Sequence, residues 1–348
     1  MQAETFFDGG NCPAMSLPAR QFVDSPAHQP PVHLTVISGL PGGVPEPLQL
    51  PNPLRQGGRL RSLLMTLAHV HVLVGGAVAV GTWMVQRVAK LPVELAPCLG
   101  AFLTFFSIYA LDRVAAEPEA DAINHPERRS FTRRHARVLL LLAILAYAAA
   151  LVLGASEGVG RTLVMLLPLA GVLVYSFPFV PRPLARRLGF RRLKEILFVK
   201  NALVASIYAS TMTLAPIPAE GKVATSALAV MWLFFFVRGF INTVVFDMRD
   251  EQGDRRHGIR TLPVVLGPRR TRRLMHGLNL GLGIFLLLVP ALGLAPPAFA
   301  ALAVGTPLAT WYLNRTAQPG SKHFLCDVIV DGEMYVAGLA LLIALSFV

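Results

Sequence analysis

The residues best equipped for chemistry lie in the stretch 246–267, FDMRDEQGDRRHGIRTLPVVLG. It carries three aspartates, Asp247, Asp250 and Asp254. On a helix turning about 100° per residue, this spacing puts the three carboxylates within roughly 60° of one another. Like charges so close repel unless a cation lies between them, and an all-oxygen donor set suits a hard divalent ion such as Mg²⁺. Arg249, Arg255, Arg256 and Arg260 are interspersed. The same residues therefore also read as a solvated helix end laced with salt bridges. The preceding run 227–245 is apolar apart from residues such as Arg238, Gly239 and Asn242, so the acidic cluster sits at the mouth of a membrane helix. That position favours a functional site.

The elements that must present this cluster are membrane spans. Of 348 residues 54% are hydrophobic and 15% charged, with mean hydropathy +0.55. Soluble domains carry about 25% charged residues. The apolar residues fall into segments of roughly 17–25, the length of a bilayer-spanning helix. About nine spans are expected, at 60–85, 92–111, 138–153, 162–180, 195–214, 225–246, 274–289, 295–313 and 324–348. Residues 1–58 are rich in Pro and Gly, with no sustained apolar period, and read as a disordered tail preceding a transmembrane domain at 59–348. Cys12, Cys98 and Cys326 are too few and too scattered for a disulfide framework or a zinc site.

Charge sets the orientation. The loops after the second, fourth, sixth and eighth expected spans hold about 22 Lys and Arg, against about four on the other side (Arg87, Lys90, Arg161, Lys222). The positive-inside rule then makes the tail and the basic loops cytoplasmic and the carboxyl terminus external. The net charge of +12 lies between apolar segments, so no nucleic-acid partner is needed to explain it. A site built from these loops faces the cytoplasm.

A second acidic cluster closes the second expected span: Asp112-Arg113, then Glu117, Glu119 and Asp121, then Asn124-His-Pro-Glu-Arg128-Arg129. Carboxylates hold metal ions, metal ions hold phosphate oxygens, and Arg or Lys neutralise the remaining charge. Two acid-rich helix ends beside arginine-rich loops suit a diphosphate brought to the membrane surface.

Here the residues resemble a family. From about residue 60 to the end the chain is similar to the UbiA superfamily of intramembrane prenyltransferases. Residues 247–267, including the trailing Gly258-Ile-Arg260-Thr-Leu-Pro-Val and Leu266-Gly267, resemble the family's second Asp-rich motif. Tyr175-Ser-Phe-Pro178, Arg192-Leu-Lys194 and Lys200-Asn201 resemble its connection between the fourth and fifth helices. The first motif departs from the common NDxxD form: Ile108 and Tyr109 stand at the Asn and Asp positions before Asp112, and Ala116 at the last Asp position. Pro118 argues against a straight helix from Asp112 to Asp121. This form resembles a divergent UbiA-like branch.

The resemblance implies an all-α bundle with a central cavity opening to the cytoplasmic side. It implies Mg²⁺ held by Asp112, Glu117, Asp121, Asp247, Asp250 and Asp254. Arg113, Arg128, Tyr175, Lys194, Lys200, Asn201 and Arg260 would surround the diphosphate, and Asp112, Asp247, Asp250 and Asp254 would carry the catalysis. The implied reaction is Mg²⁺-dependent transfer of an isoprenyl group from its diphosphate to a lipophilic, aromatic acceptor, in a bacterial inner membrane with the amino terminus cytoplasmic. Two alternatives stand beside it: a UbiA-type terpene cyclase that needs no acceptor, and a non-catalytic transporter or binder of an anionic lipid.

The carbocation intermediate demands a dry chamber, for which Phe102, Phe105, Phe106, Phe234, Phe235 and Phe236 are candidates. Each also reads as a packing or lipid-facing side chain. His69 and His71, two apart, make a poor metal pair and read as packing residues. Asn201 and Asn242 could bond across helices or touch substrate. Arg238 needs a partner or a cavity. Asp327 and Asp331, four apart, could bind an acceptor or a proton, or pair with an arginine such as Arg238. His125 and His257 read as loop residues.

Overall fold

The computed structural model describes residues 58–115, 126–176, 178, 181, 196–218, 224–256, 258–318 and 322–347. The expected tail lies outside them. Among the described residues all the regular structure is helical. The helices are α1 (Arg59–His69), α2 (Val72–Val88), α3 (Leu95–Ala115), α4 (Pro126–Ser156), α5 (Val159–Ser176) and α6 (Val199–Leu214). Then come α7 (Thr225–Arg256), α8 (Leu262–Leu266), α9 (Pro268–Leu288), a 3₁₀ segment Pro297–Val304, α10 (Gly305–Arg315), a π-helical segment Leu325–Val330 and α11 (Glu333–Leu345).

Among the described residues four helices are long and apolar enough to cross a membrane: Leu95–Val114, Ser130–Ser156, Thr225–Arg256 and Leu325–Leu345. The pair α1 and α2 makes a fifth if it counts as one span, bent by 77°. The first expected span is thus broken: His71 adopts a left-handed backbone at φ 62°, which redirects the chain before α2 begins. The eighth expected span also divides, into the 3₁₀ segment and α10. On α4 the side chains of Leu141, Ile144 and Leu145 are all exposed, as lipid-facing side chains are.

Neighbouring helices pack in a closed series. α2 packs on α3, α3 on α4, α4 on α5, α5 on α6 and α6 on α7; α7 packs on α9, which meets α10 and the 3₁₀ segment, and α11 returns to α2. Two apolar clusters fill the interior. One centres on Met84, Phe105, Met231, Phe234, Phe235 and Phe299, the other on Ile241, Val244, Leu262, Met275, Tyr312 and Leu313. Both use α7, which is the axis of the fold. At 32 residues α7 is about 48 Å long, beyond the roughly 30 Å hydrocarbon core. Its apolar part, 225–246, is about 33 Å long, enough for that core, and Asp247 begins the polar remainder.

Candidate active site

α7 and α6 build the centre of the acidic cluster together. Asp247, 5% exposed, accepts hydrogen bonds from Lys200 Nζ (2.8 Å) on one oxygen and from Asn201 Nδ2 (2.9 Å) on the other. Both donors lie in the first turn of α6. Asp254 is buried two turns further along α7, within electrostatic range of Asp247, Asp250 and Lys200. The helical expectation of three carboxylates on one side of α7 therefore holds for their mutual proximity. Asp250 is engaged by its chain neighbour: Arg249 Nε and Nη2 contact its two oxygens at 2.8 and 2.9 Å.

A cavity of about 150 Å³ lies beside α6. Phe105, Ile108, Tyr109 and Asp112 of α3, Pro168, Gly171 and Val172 of α5, and Leu203, Val204, Ile207 and Tyr208 of α6 line it. Lys200, Leu203, Val204, Ile207 and Tyr208 follow the i, i+3, i+4, i+7, i+8 pattern of one helical stripe. Lys200 stands at one end of that stripe, and Tyr208, about 12 Å along the axis, at the other. Asn201, buried beside Lys200, reaches the other oxygen of the same α7 carboxylate. Tyr208 donates a hydrogen bond to the Tyr109 hydroxyl across the cavity wall. Asp331 lies within electrostatic range of both phenols. Of the six candidate phenylalanines, Phe105 lines this cavity, while Phe234 and Phe235 are buried in the apolar core.

Two ion pairs tie α7 to the last part of the chain. Arg249 Nη1 reaches Asp327 in the π-helical segment at 2.6 Å. Arg238, wholly buried, pairs with Glu333 at 3.3 Å and hydrogen-bonds Asn279 (2.7 Å) and Thr306 (3.3 Å). Tyr312 donates to Glu333 (3.1 Å) and also contacts Asn242 (3.2 Å), whose amide donates to the Val330 carbonyl. Asp327 thus does pair with an arginine, but the arginine is Arg249; Arg238, the partner suggested from sequence, takes Glu333 instead. Asn201 and Asn242 both bond across helices. His69 and His71 sit on either side of the break, beside Phe131 and Tyr109 respectively, consistent with packing roles.

The structure brings together Asp247, Asp250, Asp254, Lys200 and Asn201. Asp112 is exposed at the cavity lip with Arg113 beside it, and Arg260 is exposed just beyond α7. Glu117, Asp121 and Lys194 lie outside the described residues, as do the side chains of Arg128 and Tyr175 on α4 and α5. Sequence reasoning missed Glu333, Tyr208 and the Arg249 fork. An acidic residue in an otherwise apolar segment was the available signal for Glu333, because such a residue needs a partner.

The donor types at the end of α7 fit a hard divalent ion: carboxylate oxygens, two of the three residues buried. Their arrangement holds cations already. Lys200 and Arg249 occupy Asp247 and Asp250, and among the described residues no group of three His, Cys, Asp or Glu is disposed to hold a metal.

Residues 66–324 match the model of the UbiA prenyltransferase family. The chain belongs to this family. It is 31% identical over 154 residues to a digeranylgeranylglyceryl phosphate synthase of Halobacterium salinarum, covering 44% of this chain and 49% of that one. A Natronomonas pharaonis protein of the same name is 33% identical over 129 residues, covering 32% and 46%. The chain thus spans about half the length of these relatives. Among solved structures it is similar to one described for digeranylgeranylglyceryl phosphate synthase, with TM-score 0.51 and 14% identity over 83% of this chain and 100% of that one. A UbiA homologue from Archaeoglobus fulgidus, bound to GPP and Mg²⁺, gives 0.50 and 18% over 82% and 98%. These likenesses establish the fold. With the apolar helices, family membership makes this an integral membrane protein.

Proposed function

We propose that this UbiA-family chain is a Mg²⁺-dependent prenyltransferase that moves an isoprenyl group from its diphosphate to a lipophilic acceptor. The observation that carries the reading is the single stripe of α6 that joins Lys200, paired with Asp247, to the apolar cavity ending at Tyr208. A substrate with a polar head and an apolar tail matches that stripe end for end. The acceptor is aromatic, as the family resemblance implied, or a prenylated glyceryl phosphate of the class for which the relatives are named. The proposed setting is a bacterial inner membrane, with a cytoplasmic amino-terminal tail, about nine spans and the cavity open to the cytoplasm.

Asp247 and Asp254 would hold the divalent ion, with Asp250 available once its arginine yields, and Asp112, Glu117 and Asp121 are the further ligands proposed from the first acidic cluster. A bound ion supplies charge stabilisation to the diphosphate as the allylic C–O bond breaks. Lys200, part exposed while its ammonium grips Asp247, supplies a cation at the head of the stripe, and Asn201 fixes the Asp247 carboxylate against α6. Arg113, Arg128, Tyr175, Lys194 and Arg260 complete the proposed diphosphate surroundings. Leu203, Val204, Ile207 and Phe105 exclude water from the allylic cation, and aromatic faces stabilise its charge.

The test uses full-length protein in detergent with Mg²⁺ and geranyl, farnesyl or geranylgeranyl diphosphate. Aromatic acceptors and a prenylated glyceryl phosphate are each supplied or withheld. Diphosphate release with a prenylated acceptor is the expected result. Cyclised hydrocarbon without acceptor would replace transfer with the cyclase reading, and no release under any condition would overturn both. Asp247→Ala and Asp254→Ala are each expected to lower release at least about a hundredfold, the scale of losing one electrostatic stabiliser of the departing charge. Wild-type turnover in both folded variants would show that the carboxylates are not the site.

A further inference from the structure

Arg249 is placed where an arginine is costly unless it has a task. Its side chain is 6% exposed, stacked 4.7 Å over Phe246, and its guanidinium is shared between two carboxylates. Nε and Nη2 fork onto Asp250 at 2.8 and 2.9 Å, and Nη1 reaches Asp327 at 2.6 Å. Adjacent helical residues do not normally face one another, so a two-pronged contact between positions 249 and 250 needs something to turn the arginine sideways. Asp327 supplies that pull. It lies on the π-helical segment Leu325–Val330, and π-helical irregularities recur at functional sites.

We propose that Arg249 is the resident counter-ion of the second Asp-rich cluster, and that Asp327 is the positioning residue that receives it when a divalent ion takes Asp250. The inference rests on the reading of this cluster as a Mg²⁺ site. Three neighbouring carboxylates without an ion repel one another, and Arg249 relieves that repulsion at Asp250 as Lys200 does at Asp247. A divalent ion approaching Asp250 meets the guanidinium as a competitor. Retaining Asp327 lets the arginine leave Asp250 without becoming an unpaired buried charge, a state that is strongly unfavourable. The exchange consumes nothing and breaks no covalent bond. It requires a rotation of one side chain between two partners already in contact.

The experiment measures Mn²⁺ binding to full-length protein in detergent by electron paramagnetic resonance, with a non-reactive thiolodiphosphate analogue of geranyl diphosphate present. Arg249→Gln removes the competing cation, so Mn²⁺ should bind about tenfold tighter or better. Asp327→Asn leaves Arg249 dependent on Asp250, so Mn²⁺ should bind several-fold weaker. In the double variant the Asp327→Asn effect should vanish, because Asp327 acts through Arg249. Circular dichroism checks that each variant is folded, and Arg249→Lys serves if Arg249→Gln does not accumulate; losing the fork, it should tighten Mn²⁺ by a smaller factor. Unchanged affinity in the folded single variants overturns the proposal, as does an Asp327→Asn effect that persists undiminished in the double variant. Loss of Mn²⁺ from Asp254→Ala alongside unchanged Arg249 and Asp327 variants would leave the metal-site reading intact and reject this inference alone. Absence of Mn²⁺ binding in the wild-type protein would reject both.

Discussion

α7 carries two arginines that each cross to the last part of the chain, and they are built differently. Arg238 meets Glu333 in a layer where both side chains are essentially unexposed, and Asn279, Thr306 and Tyr312 complete the surroundings. Arg249, eleven residues and about 16 Å further along the helix, meets Asp327 and Asp250 in a layer where Asp250 keeps 22% and the nearby Lys200 31% of their side-chain exposure. The first layer is closed by protein on every side named. The second keeps partners that are still open to solvent, as the proposed exchange requires. Position along one helix thus separates a fully buried pair from the part-exposed pair proposed to serve the site.

The largest effect expected from this contrast is in the deep layer. Glu333→Ala leaves the Arg238 guanidinium buried without its counter-ion, which costs about 3–5 kcal/mol. Denaturant titration in mild detergent should show that loss. Arg238→Met together with Glu333→Leu should recover most of it, since a buried pair replaced by apolar side chains of similar volume is often neutral. A comparable loss of stability from Asp327→Ala would break the distinction between the layers.

Gly305→Ala probes the same deep layer more gently. A Cβ at this first residue of α10 would stand 3.0 Å from Arg238 Nη2 and 3.0 Å from Glu333 Oε1. Both atoms belong to the ion pair, so the added methyl group must displace one of them. Overpacking of this kind costs about 1–3 kcal/mol. The same titration should register a loss in that range, and no loss would mean that the pair is more yielding than its burial implies.

These layers also show what could be read from the chain beforehand. Hydropathy gave the class and most of the helices, because about 20 apolar residues in a row have few other uses. The 3–4 spacing of Asp247, Asp250 and Asp254 gave their shared side of α7. The break at His71 was hidden, since the apolar run passes through it without proline and the left-handed residue is not glycine. The Arg249–Asp250 fork was hidden for another reason: periodicity ranks adjacent positions as strangers, and only the tertiary pull of Asp327 turns the arginine back. Glu333 was visible as an oddity without an address. The identity of its partner depends on which turns of α7 and α11 come level, and sequence spacing alone does not fix that.

Between Asp327 and Glu333 in chain order lies Asp331, near the hydrogen-bonded hydroxyls of Tyr109 and Tyr208. Tyr109 also occupies a position where the common form of the first motif has an aspartate. The pair is therefore intermediate: apolar rings lining the cavity, polar tips tied to each other. Tyr208→Phe removes one hydroxyl and keeps the ring. Loss of one neutral hydrogen bond costs about 0.5–1.5 kcal/mol, a smaller change than either deep-layer substitution. If the rings shape the proposed prenyl chamber and the hydroxyls merely hold them, turnover should fall by no more than about tenfold, with the preference among geranyl, farnesyl and geranylgeranyl diphosphates retained. Tyr208→Ala, which empties ring volume into the cavity, should instead shift that preference towards longer chains. A hundredfold loss in Tyr208→Phe would move the hydroxyl pair out of the wall and into the chemistry, making the shallow half of the site larger than the α7 carboxylates alone.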